Sequence, residues 1–270
     1  MDIVDVPGAK LYYDIRGSGP LLLLIPGASG DARPFTALAE HLTAHFTVVT
    51  YDRRGFSRSS LDGPQDYSRR LDTDADDARR LIEHTGHRTA IVFGTSSGAL
   101  IALHLLTRHP EAVGHLVPYE PPALRLLHDG QHWIDFFHQI YDLYRSSGIA
   151  PAMTLFRERT FVASDGYAMA RAMDLSNPRV RANATYWFEH ELRQYPAIAF
   201  DLDTLKRHAG QVIPAAGHQS QGRPCYRATA ELGALLDRKL IELPGGHVGF
   251  ATHPTEFADR LREFLEHHAP

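Results

Sequence analysis

A chain of 270 residues with 43% hydrophobic and 22% charged side chains can bury roughly three quarters of its unfolded surface, as one large domain or a domain with an insertion, without covalent staples. A formal net charge of −4 with scattered arginines argues against nucleic acid as the main partner, and the single cysteine, Cys225, excludes an internal disulfide and a multi-cysteine metal site. The opening M-D-I-V-D-V-P-G has no basic region leading into a long apolar stretch, and Leu21 to Ile25 is far too short to span a bilayer, so neither signal peptide nor anchor is expected and the location reads as cytoplasmic.

Lys10 to Ile15 reads as a strand, Gly17 to Pro20 as a turn, and Leu21 to Ile25 as a strand buried on both faces that ends in Pro26-Gly27-Ala28-Ser29-Gly30. Residues 32 to 44 carry Phe35, Leu38 and Leu42 at helical spacing, and Phe46 to Tyr51 is the next strand. A polar turn, Asp52-Arg53-Arg54-Gly55-Phe56-Ser57-Arg58-Ser59, precedes an amphipathic helix that starts near Asp72 and runs through Ala75, Ala78, Leu81 and Ile82. Thr89 to Phe93 is a strand, the following segment with Leu100, Ile101, Leu103 and Leu105 a helix, and His115 to Tyr119 a strand again. This alternation predicts an α/β fold with a mostly parallel sheet and helices on both faces.

From Pro121 to about Arg207 the alternation stops. The stretch is helical in pattern and rich in aromatics, with Trp133, Phe136, Phe137, Phe156 and Trp187 among them, and reads as an inserted helical cap. The rhythm then returns with a strand at Gln211 to Ala215, a helix at Pro224 to Leu236, a strand at Lys239 to Leu243 and a terminal helix from Pro254 to His267. The expected organisation is a core of residues 1–120 and 208–270 interrupted by a cap of residues 121–207.

Between the strand at 89–93 and its helix stands Gly94-Thr95-Ser96-Ser97-Gly98, a G-x-S-x-G sequence at a strand-to-helix turn. Glycines two residues either side of a serine allow a tight, strained backbone that pushes the hydroxyl out beyond the strand. Ser96 is the candidate nucleophile, and the Ser97 N–H, opening the helix, is a candidate oxyanion donor. A second donor is expected from the loop after the strand at 21–25, where the Ala28 N–H fits. His247, in Leu243-Pro244-Gly245-Gly246-His247 after the last strand, lies on the carboxyl edge that parallel strands share and is the candidate general base. His253, immediately before Pro254, reads as the start of the terminal helix.

The G-T-S-S-G turn, the P-G-G-H loop, the D-R-R-G-F-S-R-S turn and the strand-helix order together resemble the α/β-hydrolase superfamily with a cap after the sixth strand. The resemblance implies the order nucleophile, acid, histidine, with the usual acid after the seventh strand in a G-x-x-D pattern. Here that position reads Gly217-His218-Gln219-Ser220, without the acid. Glu120, in Tyr119-Glu120-Pro121-Pro122 after the sixth strand, takes its place as the candidate orienting acid. Such a placement is similar to that of the zearalenone-lactonase-like subgroup, as are the S-S-G elbow, the stretch Glu120 to Leu127 and the G-x-H loop followed by H-P and Phe257. Asp201 and Asp203 are the rivals by charge and read as caps of the helix containing Leu205.

The resemblance implies hydrolysis of an ester or lactone of a moderately large apolar substrate through an acyl-Ser96 intermediate, without cofactor or metal. Trp187 lies in a segment comparable to one that shapes the pocket in that subgroup, and Tyr119 and Trp133 are further candidates to line it. The expected partner is the small-molecule substrate, with a homodimer admissible and neither nucleic acid nor membrane involved. Carbon-carbon or thioester hydrolysis, cofactor-free chemistry on a polyketide, and ligand binding with vestigial turnover are the alternatives the same residues leave open.

Overall fold

The computed structural model describes residues 2–268. Among them nine strands form one sheet: β1 (Asp2–Val6), β2 (Ala9–Arg16), β3 (Leu21–Ile25), β4 (Thr47–Tyr51), β5 (Ser60–Leu61), β6 (Ala90–Thr95), β7 (Val113–Tyr119), β8 (Ala215–Gly217) and β9 (Ile241–Leu243). The order is β1-β2-β4-β3-β6-β7-β8-β9, with β5 paired to β2. From β4 to β9 all neighbours are parallel, while β2 pairs antiparallel with β1, β4 and β5.

The core-forming helices are α1 (Thr36–Leu42), α2 (Arg70–His84) and α3 (Ser97–Arg108). Between β7 and β8 come α4 (Gly130–Ser147), α5 (Ile149–Thr160), α6 (Ala163–Ala172), α7 (Pro178–His190) and α8 (Leu202–Arg207), with no strand among the described residues of that stretch. The chain closes with α9 (Pro224–Leu235), α10 (Gly249–Thr252) and α11 (Pro254–His268). The continuous apolar run of β3 is explained by its two covered faces. Leu21, Leu23 and Ile25 join the cluster of Ala75, Ala78, Leu81 and Leu103 from α2 and α3. Leu22 and Leu24 join Leu38 and Leu42 of α1 and Phe257 and Leu261 of α11. Each such leucine contributes about 1.5–3 kcal/mol by leaving water.

Two parts of the fold differ from the sequence expectation. The strand expected at Gln211 to Ala215 is instead Ala215–Gly217. Ala209–Gln211 forms a 3-10 turn, Val212 makes a single bridge to Leu116, and Pro214 has no N–H to give a ladder. At the other edge, β1 and β5 extend the sheet with antiparallel pairs that were not expected, because only Val4 and Val6 of β1 are buried and β5 is two residues long.

The polar turn Asp52 to Ser59 is a hub of buried charge. Arg53, fully buried, forms a bidentate pair with Glu191 at 2.8 and 2.8 Å and reaches Asp74 of α2 at 3.2 Å. Arg54 pairs with Asp77 at 2.6 and 2.7 Å, and Arg70 bonds both Asp74 and Glu191. This explains why the inward face of α2 carries two aspartates, which burial tolerates only when each finds a cation. Farther along, the Ser57 N–H donates to Asn183 of α7 at 2.9 Å and Phe56 meets Tyr186 edge-on. The turn therefore fastens α7 and the residue just beyond it, Glu191, to the sheet.

Candidate active site

The turn after β6 is tight because two backbones touch. A Cβ at Gly94 would stand 2.4 Å from the Gly98 carbonyl oxygen, and one at Gly98 would stand 2.2 Å from that of Ile25, so only glycine lets α3 start so close to β6 and β3. Ser96, between them, has φ 54° and ψ −122°, a conformation that costs a non-glycine residue of order 1–3 kcal/mol. Its N–H donates to Tyr119 O at 2.9 Å, and it stands half-buried directly against Gly27. Ser97 is the first residue of α3, where an N–H has no partner within the helix.

Opposite Ser96 lies the loop after β3. The Gly30 N–H donates to Gly27 O at 2.9 Å, closing a turn around Ala28 and Ser29. Arg53 donates to the same Gly27 carbonyl at 2.8 Å. The Ala28 N–H makes no backbone hydrogen bond among the described residues, and Ala28 is half-buried. A guanidinium already committed to Glu191 thus also fixes the loop that faces the elbow.

Glu120 and His247 meet in the interior. Nδ1 of His247 lies 2.6 Å from Glu120 Oε2, and Glu120 Oε1 accepts the Gly217 N–H at 2.9 Å. Glu120 is 1% exposed and His247 3%. Glu120 is held at the end of β7 by its own N–H, which donates to Ala215 O at 3.0 Å, and has φ 47°. Gly217, the glycine of the G-x-x-S sequence, therefore serves the glutamate from β7, while Ser220 at the position without an acid is buried. Asp201, by contrast, caps α8 by accepting the Thr204 N–H at 3.0 Å, and His253 begins α11, its carbonyl accepting from Phe257.

Two groups near His247 were not singled out from the sequence. Asp165, in the first turn of α6, accepts the backbone N–H of His247 at 2.7 Å. Phe161 lies against the imidazole with ring centroids 4.4 Å apart and planes tilted 35°. From Phe161 aromatic contacts continue through Phe156 to Trp187 and, by way of Phe137 and Phe136, to Trp133. No local pattern distinguishes Asp165 from any aspartate at a helix start, so only the tertiary structure finds it.

The aromatic candidates separate. Trp187 is buried against Phe156 and Phe188, and Trp133 is half-buried on α4, donating to Asp129 at 3.3 Å. Tyr119 departs from the expectation that it lines a pocket. It is fully buried among Phe93, Phe250 and Phe257, because both faces of β7 are covered from Leu116 to Tyr119 and alternation puts Tyr119 on the same face as Val117. Its hydroxyl donates to the Gly246 carbonyl, supporting the histidine loop from the sheet side, and burial pushes its pKa well above the ordinary tyrosine value.

Comparison with known proteins gives the family and its relatives. Residues 20–188 match the family model of the alpha/beta hydrolase fold. The chain is 36% identical over 269 residues to a Bacillus subtilis protein named uncharacterized hydrolase YraK, covering 97% of this chain and 95% of that one. It is 28% identical over 272 residues to a zearalenone hydrolase of Cladophialophora bantiana, covering 97% and 94%. Among solved structures, the enol-lactonase of Burkholderia xenovorans LB400 superposes with a TM-score of 0.72 at 18% identity, covering 98% of this chain and all of that one. No helix among the described residues is long and apolar enough to cross a membrane.

Proposed function

The chain belongs to the α/β-hydrolase fold family and is a hydrolase, and from that footing we propose that it cleaves an ester or lactone of a moderately large apolar substrate through an acyl-Ser96 intermediate. The observation that carries the reading is the buried 2.6 Å contact between Glu120 and His247 Nδ1, because a carboxylate there fixes the imidazole tautomer and leaves Nε2 as the free base.

In this reading Nε2 of His247 takes the proton of Ser96 Oγ as the oxygen attacks the substrate carbonyl. Negative charge develops on the carbonyl oxygen and is held by the N–H groups of Ala28 and Ser97, each worth roughly 3–4 kcal/mol. His247 returns the proton to the leaving alcohol, which in a lactone stays tethered to the acyl group. Water, deprotonated by His247, then attacks the acyl carbonyl; the bond from that carbon to Ser96 Oγ breaks, Oγ takes the proton back from His247, and the acid product departs. Residues 121–207 act as a cap, with the aromatic series from Phe161 to Trp187 and Trp133 shaping the apolar side of the site. The names of the similar proteins, zearalenone hydrolases and an enol-lactonase, support including lactones in the substrate class.

The test is a panel of p-nitrophenyl esters of graded chain length together with aryl and macrocyclic lactones, run on wild type beside Ser96→Ala, with fluorophosphonate labelling of Ser96. Serine-dependent turnover and labelling are the expected result. A Ser96→Ala variant retaining about a tenth of wild-type turnover would sink the reading, since loss of a triad nucleophile costs orders of magnitude more.

A further inference from the structure

We propose that Asp165 is a positioning residue for His247, holding the histidine loop from α6 so that the base is aligned only while the α5–α6 segment is seated over it. The inference rests on the acyl-Ser96 reading above and adds to it a residue from the helical insertion.

The loop Gly245 to Val248 is gripped from two sides. On the sheet side, the Tyr119 hydroxyl donates to Gly246 O. On the other side, Asp165 Oδ2 accepts the His247 N–H at 2.7 Å, and Oδ1 lies 3.4 Å from the Val248 N–H. Gly246 is the residue that admits this contact, since a Cβ there would stand 2.1 Å from Asp165 Oδ2. Glu120 fixes one edge of the imidazole, Phe161 covers its face, and Asp165 fixes the backbone from which the ring hangs. With all three in place the ring retains little freedom to rotate or shift.

The choice of a carboxylate is informative. Asp165 is 2% exposed, and among the described residues it makes no ion pair with a lysine or arginine. A neutral side chain could accept a backbone N–H at a smaller desolvation cost. What the carboxylate adds is negative charge close to a ring that becomes positive in the transition state. Burial pushes its carboxyl above the ordinary aspartate value; the charge of His247 and the two N–H groups oppose that shift, and Glu120 reinforces it. Glu120 beyond β7, Asp165 on α6, the Tyr119 hydroxyl on β7 and the buried Cys225, which senses the charge of Glu120, are titratable groups gathered around this loop, with His218 bonded to Leu243 O and His253 close to Gly245.

The experiment compares wild type, Asp165→Ala and Asp165→Asn for steady-state ester hydrolysis as a function of pH and for the rate of fluorophosphonate reaction at Ser96. In Asp165→Ala, kcat and the labelling rate are expected to fall about 100-fold, the scale of a small misplacement of a catalytic group, with KM little changed. Asp165→Asn, which keeps an acceptor oxygen, is expected to recover much of that loss, while the acid limb of kcat/KM moves to lower pH in both variants because the nearby negative charge is gone. Labelling and kcat within about twofold of wild type in both variants would overturn the proposal, and should the Ala variant not fold, the isosteric Asn variant decides it by the acid limb of kcat/KM: a limb left at its wild-type position overturns the proposal. Wild type that fails to label at Ser96 overturns the acyl-enzyme reading itself, whereas wild type that labels normally beside equally reactive variants removes only the role of Asp165.

Discussion

Ser96 and Glu120 are the residues immediately beyond a paired position, Thr95 opposite Tyr119 on β6 and β7, and both have left-handed backbone, with φ 54° and 47°. Two adjacent parallel strands thus each end in a non-glycine residue of positive φ at the same level of the sheet. Backbone bonds from Ser96 N to Tyr119 O and from Glu120 N to Ala215 O hold the strain in place. The sheet, rather than either loop alone, sets the spacing between these two side chains.

The strain at Ser96 is separable from its chemistry. Ser96→Gly is expected to abolish turnover while unfolding at a higher temperature than Ser96→Ala, because glycine adopts φ near 54° at little cost and alanine does not, a difference of about 1 kcal/mol. Thermal melts of the two inactive variants check this. Equal melting temperatures would mean that the turn stores no strain.

Glu120→Gln keeps the size of the side chain but lets the amide face His247 Nδ1 with a donor, stabilising the wrong tautomer. The expected outcome is a fall in kcat of roughly 10⁴-fold with little change in KM. Asp201→Asn serves as the control, expected within a few-fold of wild type because Asp201 only caps α8. A larger loss in the control would reassign the acid.

Arg53 is a structural test case. Arg53→Met leaves Glu191 buried opposite Arg70 alone and releases the Gly27 carbonyl. Unfolding in urea should show a loss of about 3–5 kcal/mol, the usual cost of removing one partner of a buried pair. Arg53→Met combined with Glu191→Met is expected to be more stable than Arg53→Met alone, since no carboxylate is then stranded. Destabilisations that simply add would show that Arg53 and Glu191 are not coupled.

Acid sensitivity should trace in part to His190. The ring stacks on Tyr67 with centroids 3.7 Å apart and touches Tyr186; burial, then the charge of Arg70, hold its pKa below the ordinary histidine value against the pull of Glu189. In the window between that lowered pKa and about 6.5 the unfolded chain binds more protons than the native one, so stability rises with pH there and is lost as pH falls. His104 acts in the same sense, burial outweighing its bond to Asp72. Asp77, raised to about 6 chiefly by burial, acts oppositely at lower pH, where the native state holds the extra proton. Compared with wild type, His190→Gln is expected to lose less unfolding free energy between about pH 7.5 and about pH 5.5. An identical pH slope in the two proteins would remove His190 from the account.

How much of this was legible in the sequence depended on whether the cause was local. The apolar run of β3 and the Gly94 to Gly98 turn could be read because the forces that shape them act within a few residues or demand glycine outright. Glu120 and His247 could be named from their places after strands, but their 2.6 Å contact joins residues 127 apart and exists only through the register of β7, β8 and β9. The start of β8 was misplaced because Pro214 interrupts an apolar run that otherwise looks like strand. The side to which Tyr119 points followed from the alternation of β7, which could have been counted. Asp165 gave no signal, since its partner is a backbone N–H 82 residues away.

The guanidinium of Arg53 has a consequence for how this chain can be recombined. It binds the loop at Gly27 and, at once, Glu191 beyond α7, while Asn183 holds Ser57. The helices between β7 and β8 are consequently not an interchangeable module. A chimera whose exchanged segment includes residues 183 and 191 but not Arg53 would set Arg53 against a foreign side chain and slacken the turn around Ala28 at the same time. Soluble yield across a set of such chimeras, with and without residues 183–191 carried along with their native core, reads that dependence directly.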